Sequence, residues 1–249
     1  MNRRLKGGNI YGGCCESGIV NGNVIINVNA NLVNCDELFD EVLTDPNDGE
    51  ASLYQNNELG YNHEHYHITK RRSGVILAQQ GMDVLSEGLN LYGGGKGEGT
   101  EIWGSTTINL NKGFVFQVFG GSEKGVIGKS NDGTGDAYTF NGKTYKYNDK
   151  YSCYVNLKGS APGTTKASGD NVNMPECVFL YGGGFEGPVV GNTIVRLGNG
   201  RVFGSFGGSC DADILGHAES YVGYRHDVED HSGAVTGQVD GFPWVRDIV

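Results

Sequence analysis

The chain has 249 residues with a formal net charge of −10, 37% hydrophobic and 10% aromatic residues, and 43 glycines against 5 prolines. That much aromatic content excludes a disordered chain, and the missing G-X-Y period excludes collagen. The negative charge argues against binding to nucleic-acid phosphates or an anionic membrane surface, and no apolar run approaches the roughly 20 residues of a membrane-spanning helix.

The opening MNRRLKGG is basic but lacks the apolar core of a signal peptide. A repeat begins almost at once with IYGGC at Ile10–Cys14, so the chain reads as a segment of a longer protein with flanking domains. LYGGG follows at Leu91–Gly95 and Leu180–Gly184, and FGGS at Phe119–Ser122 and Phe206–Ser209. Three further segments align without gaps: GNVIINV (Gly22–Val28), GSTTINL (Gly104–Leu110) and GNTIVRL (Gly191–Leu197). A second block aligns twice, GFVFQVFGGS from Gly113 and GRVFGSFGGS from Gly200.

Inside the first block, Val24, Ile26 and Val28 match Thr106, Ile108 and Leu110, and Thr193, Val195 and Leu197. Asn27, Asn109 and Arg196 fall on the other face. A period of two with one apolar face defines strands buried on one side. Phe119 follows Tyr92 by 27 positions and Phe206 follows Tyr181 by 25. A unit of about 25 residues holds about three short strands and three turns, which is one rung of a parallel β-helix. Propeller blades need a longer unit, roughly 40–45 residues. The expected fold is therefore all-β, a single domain over residues 1–249 forming a right-handed parallel β-solenoid. An antiparallel barrel or sandwich is the alternative, because hairpin turns also favour glycine. In the solenoid, glycines at the corners supply positive φ and the neighbouring Tyr or Phe stack as a ladder.

Two stretches interrupt the cadence. Residues 31–73 include NCDELFDEVLTDP, a short amphipathic helix with Leu38, Phe39, Val42 and Leu43 on its apolar side, ended by Asp45-Pro46. Residues 129–176 hold a hairpin with an Asn141-Gly142 turn and then a polar loop. Gly74–Gly81 between them reads as a degenerate rung. Insertions into solenoids often carry the binding function.

Chemistry-bearing clusters are few. His63, His65 and His67 of HEHYH project to one face of an extended chain, an arrangement that can hold zinc. YRHDVEDH gathers Arg225, His226, Asp227, Glu229, Asp230 and His231, the residue types of a polysaccharide lyase or a glycosidase, and equally of a polar end cap. DPNDGE at Asp45–Glu50 and NDGTGD at Asn131–Asp136 have calcium-loop composition without EF-hand spacing; Asp, Asn and Gly make ordinary turns as well. No cofactor is expected. The six cysteines form no C-x-x-C pair. Cys153 and Cys177 flank the second insertion, and they read either as a clamping disulfide or as buried thiols.

The cadence YGGG, V-x-GNT-x-V-x-L, G-x-V, FGG, clearest over Leu180–Ser209 and Leu91–Ser122, resembles glycine-rich repeats of large secreted or surface-anchored bacterial proteins. The resemblance implies a β-solenoid in an extracellular or cell-surface setting and carries no catalytic residues. The first functional expectation is a non-enzymatic structural or adhesin-like module whose partner is a glycan or another surface protein. The alternatives are a carbohydrate-active β-helix enzyme and a segment of a phage fibre or tail spike.

Overall fold

The structure, a computed structural model, describes residues 9–29, 90–160, 175–229 and 235–248. Among these the fold is all-β, with one 3-10 turn at Asp149–Tyr151. The chain makes successive passes across three sheets. β1 (Asn9–Tyr11), β2 (Ser17–Val20) and β3 (Val24–Asn29) form the first pass. β4 (Asn90–Tyr92), β5 (Gly99–Ile102) and the first half of β6 (Thr106–Phe119) form the second. The second half of β6, β7 (Val126–Ile127), the hairpin β8 (Thr134–Phe140) and β9 (Lys143–Tyr147), and β10 (Cys153–Lys158) follow. β11 (Pro175–Tyr181), an isolated bridge at Val189 and β12 (Thr193–Asn199) come next. The fifth pass is β13 (Arg201–Phe206), a bridge at Ile214 and β14 (Ala218–Val222). A second hairpin, β15 (His226–Glu229) and β16 (Val235–Val239), leads to β17 (Trp244–Ile248).

Among the described residues, all pairings between passes are parallel, and only the two hairpins pair antiparallel. Gly104–Leu110 and Gly191–Leu197 are not neighbours, because β10 lies between their strands and pairs parallel with both. The second interruption is thus shorter than residues 129–176: Cys153–Lys158 is a full member of the sheet. CYVNLK lacks the leading glycine of its counterparts, which hides it in the sequence.

Register stacks like on like. Ile26, Ile108, Val155, Val195 and Ser220 share one column, and Val28, Leu110, Leu157, Leu197 and Val222 the next. Ile108, Leu110, Val155, Leu157, Val195 and Leu197 join Leu91, Val118 and Leu180 in one buried core. A second core gathers Ile102, Ile127, Val189 and Cys153 with Tyr145 and Tyr151. On the polar face, Asn109 Nδ2 donates to Asn27 Oδ1 at 2.8 Å and Asn156 Nδ2 to Asn109 Oδ1 at 2.9 Å. Arg196 ends this row, donating to Asn156 Oδ1 at 3.4 Å.

The aromatics stack as a single column. Tyr11, Tyr92, Phe119, Tyr181 and Phe206 lie near-parallel with successive ring centroids 4.7–5.0 Å apart. The glycines beside them serve a different purpose from the expected one. None of Gly12, Gly93, Gly120 and Gly182 has positive φ; each lies where a β-carbon would collide with the next pass. A Cβ on Gly93 would stand 2.1 Å from Gly120 O, and one on Gly182 would stand 2.2 Å from Gly207 O. Positive φ occurs instead at Gly113 (103°), where β6 crosses between sheets, and in the Asn141-Gly142 hairpin turn (48° and 73°).

Cys153 and Cys177 are free thiols rather than a disulfide. Cys153 packs in the second core and Cys177 in the first, on strands of different sheets, and both are fully buried. The short helix and the Gly74–Gly81 rung expected from the sequence lie outside the described residues.

Candidate functional site

The hairpin β8–β9 is joined to β5 through a buried carboxylate, Glu101. Glu101 is 4% exposed. It accepts from Lys143 Nζ at 2.6 Å, Trp103 Nε1 at 2.6 Å and Tyr145 Oη at 3.0 Å. Burial alone would raise the Glu101 carboxyl, but hydrogen bonds from Lys143, Trp103 and Tyr145 outweigh it and hold the group below the usual carboxylate range. Lys129 lies over the Trp103 ring at 4.7 Å. Tyr151 donates to Asp132, tying the start of the hairpin to its end.

Docked in this way, the hairpin bounds an open groove of about 520 Å³ against the corner at residues 215–217. Tyr138, Tyr147 and Leu215 line it, with Thr134, Asp136 and His217 among its polar residues. Each tyrosine hydroxyl is already engaged. Asn192 Nδ2 donates to Tyr147 Oη at 3.3 Å. Burial, followed by the hydrogen bond to Asp213, pushes the Tyr138 phenol up to about 12. Gly216 permits the close fit, since a Cβ there would stand 2.3 Å from Asn192 Oδ1 and 2.7 Å from Tyr147 Cε2.

The ladder of the hairpin is broken at the groove. Thr134 pairs with Tyr147, but the next pair is Tyr138 with Tyr145, so β8 advances four residues while β9 advances two. Gly135, Asp136 and Ala137 lie in that bulge and line the groove, and Gly135 takes φ 83°. Bulges of this kind re-aim side chains next to binding sites.

Most of the residues nominated by the sequence are placed elsewhere. His226 is buried, its ring nitrogens 3.2 Å from Tyr224 O and 3.0 Å from Gly159 O. It packs against Gly198, where a Cβ would meet the imidazole at 2.4 Å. Arg225 faces Asp240 at 3.8 Å, and Asp227 accepts from Gln238 Nε2 at 2.8 Å. These three side chains have separate partners and do not converge on one point. Glu229 lies on β15, and Asp230 and His231 lie outside the described residues. His63, His65 and His67 and the DPNDGE loop also lie outside them. Of NDGTGD, Asp132 serves Tyr151 and Asp136 lies at the groove. Among the described residues, no three His, Cys, Asp or Glu side chains come together to hold a metal ion.

Sequence reasoning did not find Glu101 or the groove. Glu101 occupies an ordinary strand position in GTEIWG, and only the docked hairpin makes it a hub. No family model, curated protein or solved structure matches the chain. No helix among the described residues is long and apolar enough to cross a membrane.

Proposed function

We propose that the chain is a non-enzymatic β-solenoid module of a bacterial surface protein, a right-handed parallel β-helix that presents its insertions for glycan binding. The observation that carries this reading is the aromatic column, in which five rings from five passes stack in one register. Such a column needs the chain to return to the same corner once per unit, as a solenoid does. The dispersal of Arg225, His226 and Asp227 favours binding over catalysis, because lyase and glycosidase chemistry needs acid and base groups converging on one bond.

The test is incubation of the purified chain with a panel of acidic and neutral polysaccharides, reading new reducing ends and unsaturated uronates. No increase over buffer is expected. Depolymerisation abolished by Asp227→Ala would replace this reading with the enzyme one.

A further inference from the structure

We propose that the groove between the β8–β9 hairpin and the corner at residues 215–217 is a binding site for a short neutral oligosaccharide. The inference rests on the glycan-binding reading above and assigns it to one place. Three properties of the groove define the ligand.

The first is amphipathic lining. Tyr138 Oη is taken up by Asp213, while Tyr147 Oη accepts from Asn192 and keeps its own O–H to donate, so these residues offer a ligand ring surface, extended by Leu215, and one hydroxyl donor. Beside that surface are the Asp136 carboxylate, the His217 imidazole and the Thr134 hydroxyl. An apolar surface edged by a few hydrogen-bonding groups suits a pyranose, whose ring carries apolar C–H faces and a belt of hydroxyls.

The second is charge. Among the described residues the lining includes Asp136 and no lysine or arginine, and the chain carries −10 overall. Uronates, sulfated sugars and phosphates would meet a carboxylate with no opposing cation. A quaternary ammonium is best held by aromatic faces on several sides, and this groove, with two tyrosines, is only partly enclosed. An uncharged ligand remains.

The third is construction. The volume of about 520 Å³ falls within the roughly 300–1,000 Å³ of small-molecule sites. Asp136 is exposed on a bulge that interrupts the hairpin ladder. Tyr147 accepts from Asn192 and sits against Gly216, where no side chain would fit. The hairpin itself is locked to the sheet through Glu101, so the groove is preformed.

The experiment is an NMR titration of the ¹⁵N-labelled chain with cellotriose, maltotriose, mannotriose and galactotriose. Trigalacturonate and choline serve as charged comparisons. At least one neutral trisaccharide is expected to shift the amides of Gly135 and Gly216. The Asp136→Ala/His217→Ala variant, altered only at exposed positions, should bind it at least about tenfold more weakly with unchanged circular dichroism. Tyr147→Ala should do the same. Shifts mapping elsewhere, no response to any neutral sugar, or tighter binding of trigalacturonate or choline would each overturn the assignment. Sugar shifts away from the groove would leave the glycan-binding module standing, whereas polysaccharide cleavage would remove the module reading without touching the groove.

Discussion

A β-carbon placed on Gly120 would stand 2.1 Å from the carbonyl oxygen of Gly182. The same near-collision recurs from Gly12 to Gly93 and from Gly182 to Gly207, so at each of these corners the next pass leaves no room for a side chain. Gly120→Ala should therefore cost about 3 kcal/mol or more, the upper range for forced overpacking. Gly237 lies in the second hairpin with no atom within 4 Å of its would-be Cβ, and Gly237→Ala should stay within about 0.5 kcal/mol of the parent. Urea midpoints of the two variants check the contrast. Equal midpoints would mean that the corners yield.

Glu101 concentrates the attachment of the first hairpin. Glu101→Ala leaves the Trp103 N–H and the buried Tyr145 hydroxyl without their acceptor, at a cost of about 3 kcal/mol. Because the native carboxyl is held below its ordinary range, its contribution is complete above the unfolded value near 4.3 and disappears as pH falls through the lowered native value. The stability gap between the parent and Glu101→Gln should accordingly be widest at neutral pH and close in acid. Urea midpoints measured from pH 6 downward read it directly, and a gap independent of pH would remove Glu101 from this role.

The alkaline side is governed by the phenols. Burial, then the bond to Glu123, pushes Tyr11 up to about 12, and Tyr138 reaches about 12 through burial and Asp213. Groups with raised native values stabilise fully below the unfolded value near 10, and that stabilisation is lost as pH rises from there towards 12. Near-ultraviolet tyrosinate absorbance should lag in the native protein at pH 11 and jump when denaturant is added. Tyr138→Phe should shrink that jump.

The thiols divide by depth. Burial pushes the Cys153 thiol up to about 12 and raises Cys177 also, and both side chains are fully buried. Cys15 and Cys210 are exposed. Brief alkylation of the native protein at pH 8, mapped by peptide mass spectrometry, should label Cys15 and Cys210 and spare Cys153 and Cys177 until urea is added. A Cys153–Cys177 disulfide peptide in the unreduced digest would contradict the structure.

The strand columns were legible because their signal is local and repeated: Val24, Ile26 and Val28 alternate within one segment bounded by glycine. The aromatic column was legible for the same reason. The function of the neighbouring glycines was not, since positive φ and close approach both demand the absence of a Cβ, and only three-dimensional spacing separates them. β10 escaped because Cys153 and Tyr154 replace the usual residues after a polar hairpin. The groove joins Asp136 and Tyr147 to Leu215 and His217 across about 70 positions, through a docking contact at Glu101 that no short-range pattern announces.

The row from Asn27 through Asn109 and Asn156 matches each amide to another of its own kind, as the aromatic column does with rings. A consequence reaches into how such a gene can change. A tandem duplication of one whole unit would set every new residue beside an identical neighbour, leaving all columns intact. A single-codon insertion within a strand would throw every later column out of step. Viable length variants of this chain should differ by whole units, with smaller insertions confined to hairpins that stand outside the columns, such as the one turning at Asn141 and Gly142.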